Sequence, residues 1–294
     1  MKKPVFIGSG VAIVTPFLSN GIDYAKLAGL CEFHIANGTD AIVVAGTTGE
    51  ASTMPDEEHI SSIRCVTEAV GGRIPVIAGV GSNDTGHALR LSRMAADCKV
   101  DALLHVTPYY NKTSQNGLYR HFAMIADSVD LPIILYNVPS RTGMSIDPPT
   151  LQRLSRIDNI VGIKECRIEQ AAETAWLCGD DMYQYSGEDA LVLPMLSYGG
   201  KGVISVAANI IPAAMHNMVA SYLAGDTATA TRLQVEYISL IKALFSDVNP
   251  IPVKAAMNMM GMAVGECRLP LCEMSDTALE ALRLTLGRFG LIPS

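Results

Sequence analysis

No stretch of this chain carries the roughly 18 consecutive apolar residues of a membrane-spanning helix, which argues against a bilayer span. Charge is scarce as well: 17% of residues are Asp, Glu, Lys or Arg, and their formal sum is −7. That balance argues against nucleic acid or an anionic membrane as partner, while a few local cations could still hold a small anion. The six histidines (34, 59, 87, 105, 121 and 216) lack H-x-x-x-H and H-E-x-x-H spacing, and we expect no metal site. The seven cysteines (31, 65, 98, 166, 178, 267 and 272) contain no C-x-x-C pair. Odd in number and scattered, they read as buried reduced thiols of a cytoplasmic protein. No G-x-G-x-x-G follows an early strand, so the usual signature of a doubly wound dinucleotide-binding sheet is missing. Met1-Lys2-Lys3 before apolar residues superficially resembles a secretory leader, but Gly8, Ser9, Gly10 and Pro16 interrupt it and no small-residue cleavage site stands out. Val11 to Phe17 is the expected first strand.

What the chain does have is repetition. Short apolar runs rich in Val and Ile begin near Val11, Ala41, Pro75, Ala102, Pro132, Ile160, Gln184 and Gly202, mostly separated by stretches of helical periodicity. The segment from Pro55 opens with Pro and acids and ends at Gly71-Gly72, the asymmetry of a helix. Strands alternating with helices predict a parallel sheet with right-handed crossovers, and eight such units predict a closed (β/α)8 TIM barrel over residues 1–224. An open doubly wound sheet is the alternative. Residues 225–294 carry no further strand; 226–246, 250–264 and 275–289 read as helices, with Pro250, Pro252 and the Ser275-Asp276 pair marking starts. This C-terminal helical appendage either packs on the barrel or forms a subunit contact.

One residue stands out chemically. Lys164 is a lone ammonium at the end of Ile160-Val161-Gly162-Ile163. Burial favours its neutral amine, the nucleophile that forms a Schiff base with a ketone; a structural lysine neutralised by a carboxylate explains it equally well. In a barrel the site lies at the C-terminal ends of the strands. There the chain places Gly46-Thr47-Thr48-Gly49-Glu50, Thr107-Pro108-Tyr109-Tyr110, Tyr136-Asn137-Val138-Pro139-Ser140-Arg141, Lys164 and Ser186-Gly187-Glu188-Asp189. Taken singly, the threonines suit a helix cap, the tyrosines suit apolar filler and Arg141 suits a solvated loop. Their coincidence at five strand ends argues for a site.

The ordered set GTTGE, VTPYYN, YNVPSRTG and GIKE resembles the dihydrodipicolinate synthase family of pyruvate-dependent class I aldolases, and the resemblance runs from GSGVAIVTPF through GGKGVISVAAN into the C-terminal helices. It implies a lyase that condenses pyruvate with L-aspartate 4-semialdehyde on the way to diaminopimelate and lysine, with no cofactor beyond a covalent imine of pyruvate on Lys164. It assigns proton transfer to Tyr136, Thr47 and Tyr110, with Tyr110 crossing into a neighbouring subunit's site, and implies a homo-oligomer, a dimer of dimers in many members. Thr48 would help hold the pyruvate carboxylate, Gly187 and Ile204 would line its pocket, and Arg141 would grip the carboxylate of the semialdehyde. Relatives that act on sialic acid or 2-keto-3-deoxy sugar acids keep the chemistry and change the aldehyde; Arg141 argues against them. An inactive scaffold would be expected to have lost one of the four catalytic residues, and all four are present.

The resemblance also maps a lysine-binding regulatory site onto Ala51, Ser52, Asp56, His59, Asn83, His87 and Tyr109. Lysine-sensitive relatives tend to carry a glutamate where this chain has His87. An imidazole pairs poorly with a ligand ammonium, so weak or absent feedback by lysine is expected.

Overall fold

The computed structural model describes residues 2–293. Eight parallel strands close on themselves: β1 (Gly8–Ala12), β2 (Ala41–Val44), β3 (Val76–Gly79), β4 (Ala102–Val106), β5 (Ile133–Asn137), β6 (Ile160–Glu165), β7 (Tyr183–Ser186) and β8 (Gly202–Ser205). Each pairs with its neighbours in sequence, and β1 seals the ring by pairing with both β8 and β2. At that seam the backbones come so close that a Cβ on Gly202 would sit 1.8 Å from the Gly8 carbonyl oxygen. The crossover helices are α1 (Tyr24–Ala36), α2 (Asp56–Val70), α3 (Thr85–Asp97), α4 (Gln115–Ala126), α5 (Pro148–Leu154), α6 (Ala171–Cys178), α7 (Val192–Ser197) and α8 (Pro212–Leu223). In α2 the acids Asp56, Glu57 and Glu58 occupy the first turn, and Gly71 ends the helix in the left-handed conformation. The expected (β/α)8 barrel is therefore present.

Two apolar cores hold it together. One lies between strands and helices; the other fills the barrel with residues such as Ala12, Val43, Ile77, Leu104, Ile134 and Ile204. Phe6 stacks on Tyr185 at 4.5 Å between ring centroids, and the Tyr185 hydroxyl donates to the Phe6 carbonyl at 2.8 Å. The segment before β1 thus stoppers one end of the barrel.

The structure corrects several element boundaries. The first strand is Gly8–Ala12, not Val11–Phe17. Beyond Ala12, Val14 N–H donates to the Asn209 side chain at 3.2 Å rather than to a strand, and Pro16 has no N–H to give. Phe17–Leu18 instead forms a small antiparallel hairpin with Gly21–Ile22. Residues 226–246 form two helices, α9 (Thr227–Glu236) and α10 (Ile238–Leu244), broken at Tyr237, whose ring stacks on Phe289 at 5.5 Å. The next helix, α11 (Ile251–Met259), stops short of 264, and α12 (Asp276–Arg288) is capped by the Ser275 hydroxyl, which accepts from Ala278 N–H. Among the described residues no helix is long and apolar enough to cross a membrane.

Candidate active site

Lys164 is the fifth residue of β6 and pairs in register with Tyr136 of β5 and Tyr185 of β7. Its side chain is 5% exposed, and Nζ lies 4.5 Å from the centroid of the Tyr136 ring. Burial pushes the amine below the ordinary lysine range, with nearby Cys166, Asp189 and Glu188 opposing the shift. Burial also pushes the Tyr136 phenol upward, against Arg141 and a hydrogen-bonding Thr47. An amine whose charge is disfavoured and a protonated phenol therefore stand side by side. Space beside the amine depends on Gly187: a Cβ there would lie 3.3 Å from Lys164 Cε and collide with Cys166 Sγ. Ile204 is fully buried in the same interior cluster as Tyr136.

The loop after β2 presents the hydroxyls. Ala45 (φ 54°) and Glu50 (φ 56°) bracket it in the left-handed region, where non-glycine residues are strained. Thr48 is buried and its Oγ1 accepts from Asn249 Nδ2 at 3.0 Å, which leaves its O–H free to donate. Arg141, in a single turn of helix after β5 (Pro139–Thr142), donates from Nη2 to the Asn249 carbonyl at 3.3 Å. Asn249 thus links the threonine loop to the arginine, a role sequence reasoning missed because Pro250 had suggested only a helix start. Glu165, the neighbour of Lys164, faces a polar knot instead of the interior. Burial pushes its carboxyl up to about 7, while Asn137, Arg167 and Gln170 donate to it and pull the other way.

A cavity of about 360 Å³ opens from this point. Thr47, Tyr136 and Arg141 line it, together with Ala51, Ser52, Asp56, His59, His87 and Tyr109. Lys164, Thr48, Gly187 and Ile204 are not in its wall. Asp56 does reach His87: Oδ1 lies 2.9 Å from Nε2, the other imidazole nitrogen lies 3.1 Å from Ser82 Oγ, and Arg90 adds a contact at 3.7 Å. The hydrogen bond from His87 holds the Asp56 carboxyl below the usual range. His59 Nε2 lies 2.7 Å from the Gly79 carbonyl oxygen. Asn83 lies outside the wall; its amide donates to the Tyr109 carbonyl at 3.2 Å and so supports the turn that carries Tyr110. Tyr110 is 93% exposed, with φ 68°. It does not line the cavity that Tyr136 and Thr47 line. Among the described residues no group of three or more His, Cys, Asp or Glu is placed to hold a metal ion.

Comparison with known proteins matches the sequence and the fold to one family. A curated 4-hydroxy-tetrahydrodipicolinate synthase of Acetivibrio thermocellus is 56% identical over 292 residues, covering 99% of this chain and all of the relative. The chloride-inhibited dihydrodipicolinate synthase of Acinetobacter baumannii, solved in complex with pyruvate, superposes with a TM-score of 0.94 at 44% identity, covering 97% of this chain and 99% of that one. The enzyme of Cyanidioschyzon merolae, solved with lysine bound, gives a TM-score of 0.95 at 41% identity, covering 99% of this chain and all of that one. The model of the dihydrodipicolinate synthetase family matches residues 5–288, and the chain belongs to that family.

Proposed function

We propose that this chain condenses pyruvate with L-aspartate 4-semialdehyde, the reaction of the 4-hydroxy-tetrahydrodipicolinate synthases it matches. The observation that carries the reading is Lys164, buried with its charge disfavoured beside the Tyr136 phenol and the opening left by Gly187. Its neutral amine adds to the ketone carbon of pyruvate, and loss of water gives an iminium. That cation acidifies the methyl group; release of a proton leaves an enamine, whose carbon adds to the aldehyde. The substrate's own amine then attacks the former ketone carbon, closes the ring and expels Lys164. One water is released overall, and no further cofactor is required.

Each remaining residue has a task in this reading. The Thr48 hydroxyl and the loop N–H groups around Thr47 receive the pyruvate carboxylate, with Gly187 and Ile204 shaping the space. Tyr136 and Thr47 pass protons between the reacting atoms and the rim. Arg141 in the cavity wall takes the semialdehyde carboxylate. The exposed Tyr110 completes the relay in a neighbouring subunit, within a dimer that pairs again into a tetramer.

The test is pyruvate-dependent consumption of L-aspartate 4-semialdehyde, coupled to dihydrodipicolinate reductase, with borohydride trapping of the imine alongside. Lys164→Ala should lose both signals. Trapping without turnover would move the substrate to the sugar-acid aldehydes, and trapping that persisted in Lys164→Ala would exclude this lysine as the nucleophile.

A further inference from the structure

Glu50 ends the threonine loop, and its side chain is fully buried against the equally buried Lys254 of α11. Lys254 Nζ donates to Glu50 Oε1 at 2.8 Å, to the Thr15 carbonyl at 3.1 Å and to the Glu266 carbonyl at 2.7 Å. All three ammonium protons are used, each on a different segment. The other carboxylate oxygen, Oε2, accepts from Arg268 N–H at 2.8 Å. Thr15 returns to the same loop, donating its hydroxyl to the Gly49 carbonyl at 2.7 Å. A buried ion pair adds little stability over well-packed apolar side chains of equal volume, so stability alone is a weak reason for one here. Its geometry offers a better one. The loop is strained at Ala45 and Glu50, and a strained conformation persists only where its surroundings over-determine it. Glu50 is two residues from Thr48 and three from Thr47, whose carbonyl accepts Glu50 N–H at 3.1 Å.

We propose that Glu50 and Lys254 are positioning residues for pyruvate, an ion pair through which the C-terminal helices hold Thr47 and Thr48 at the carboxylate-binding position. This rests on the pyruvate reading above. Asn249, just before α11, holds Thr48 from the same segment, so the region after the barrel contributes directly to the geometry of the site.

The test uses the full chain and two variants. Lys254→Met strands the Glu50 carboxylate. The double variant Glu50→Gln/Lys254→Met leaves neither charge unpaired and keeps the question answerable if the single variant fails to fold. Half-saturating pyruvate for imine trapping should rise about tenfold in the double variant, while the KM for the semialdehyde, held by Arg141, stays within twofold. Hydrogen exchange over residues 45–54 should accelerate, with β4 unchanged. A merely structural role would lower the trapped amount and leave half-saturation alone. A rise below about threefold in folded double variant, or unchanged exchange in 45–54, overturns the proposal. Wild-type protein that traps no pyruvate would instead overturn the functional reading, and this inference with it.

Discussion

At the scale of single residues, two lysines bear on the site from different sides. Burial, with a smaller contribution from the Arg141 charge, disfavours the charge of Lys164, whereas Lys254, buried as deeply, keeps a carboxylate and two carbonyls. The cost of the first can be measured. Its folded pKa is depressed below the unfolded value of 10.5, so below that pH the unfolded chain binds a proton that the folded chain resists. Lys164→Met should therefore abolish imine trapping and yet raise the melting temperature at neutral pH, by about 2 °C. The gain should shrink as pH approaches the unfolded value, and a lower melting temperature at neutral pH would count against the burial argument. In the sequence the two lysines look alike. Lys254 stands among Val253, Ala255, Ala256 and Met257 much as Lys164 stands after Ile163. Of the two readings open for a lone buried lysine, the one neutralised by a carboxylate describes Lys254. Asn249 had no such contrast with its neighbours, and only the folded path of the chain brings it to Thr48.

At the scale of elements, α2 and α3 jointly build one part of the cavity wall. Asp56 opens α2, and His87 and Arg90 lie on α3. Because these two side chains already engage Asp56, a ligand ammonium arriving there would have to displace an internal partner. Turnover should accordingly fall by less than half in about 1 mM L-lysine, whereas inhibition at a tenth of that concentration would refute the reading. The presence and order of the barrel strands were legible because each is a short apolar run bounded by turn residues. Their ends were not. The first strand stops where ladder partners give way to an Asn209 side chain, and the helix expected over 226–246 breaks where Tyr237 finds Phe289. Both boundaries depend on residues distant in sequence, beyond the reach of local periodicity.

At the scale of the whole molecule, the role proposed for Tyr110 requires assembly. If one subunit's Tyr110 serves another's Lys164, mixing Tyr110→Ala with Lys164→Ala chains should restore turnover that neither has alone, because the hybrid contains one complete site. Failure of co-refolded mixtures to recover activity would place the relay within one chain. Acid stability is also a global property. Burial lowers His34 and His105 to about 3 and His121 to about 4, so below 6.5 the unfolded chain takes up protons the folded chain refuses. Glu165, raised to about 7, has the opposite sign: its penalty is relieved as pH falls from there to 4.5. Below 4.5 the histidine losses continue without that relief, and the melting temperature should drop most steeply there; His105→Gln should flatten the slope, and an unchanged slope would refute its share. Finally, the stopper of Phe6 on Tyr185 lies at the strand neighbour of Lys164 itself. On that side of Lys164 the interior is filled by the stacked ring pair. In the proposed reaction the enamine must exist before the aldehyde can be attacked, so the chemistry sets an order of arrival: the ketone first, the aldehyde second, and the ring out before another ketone can bind.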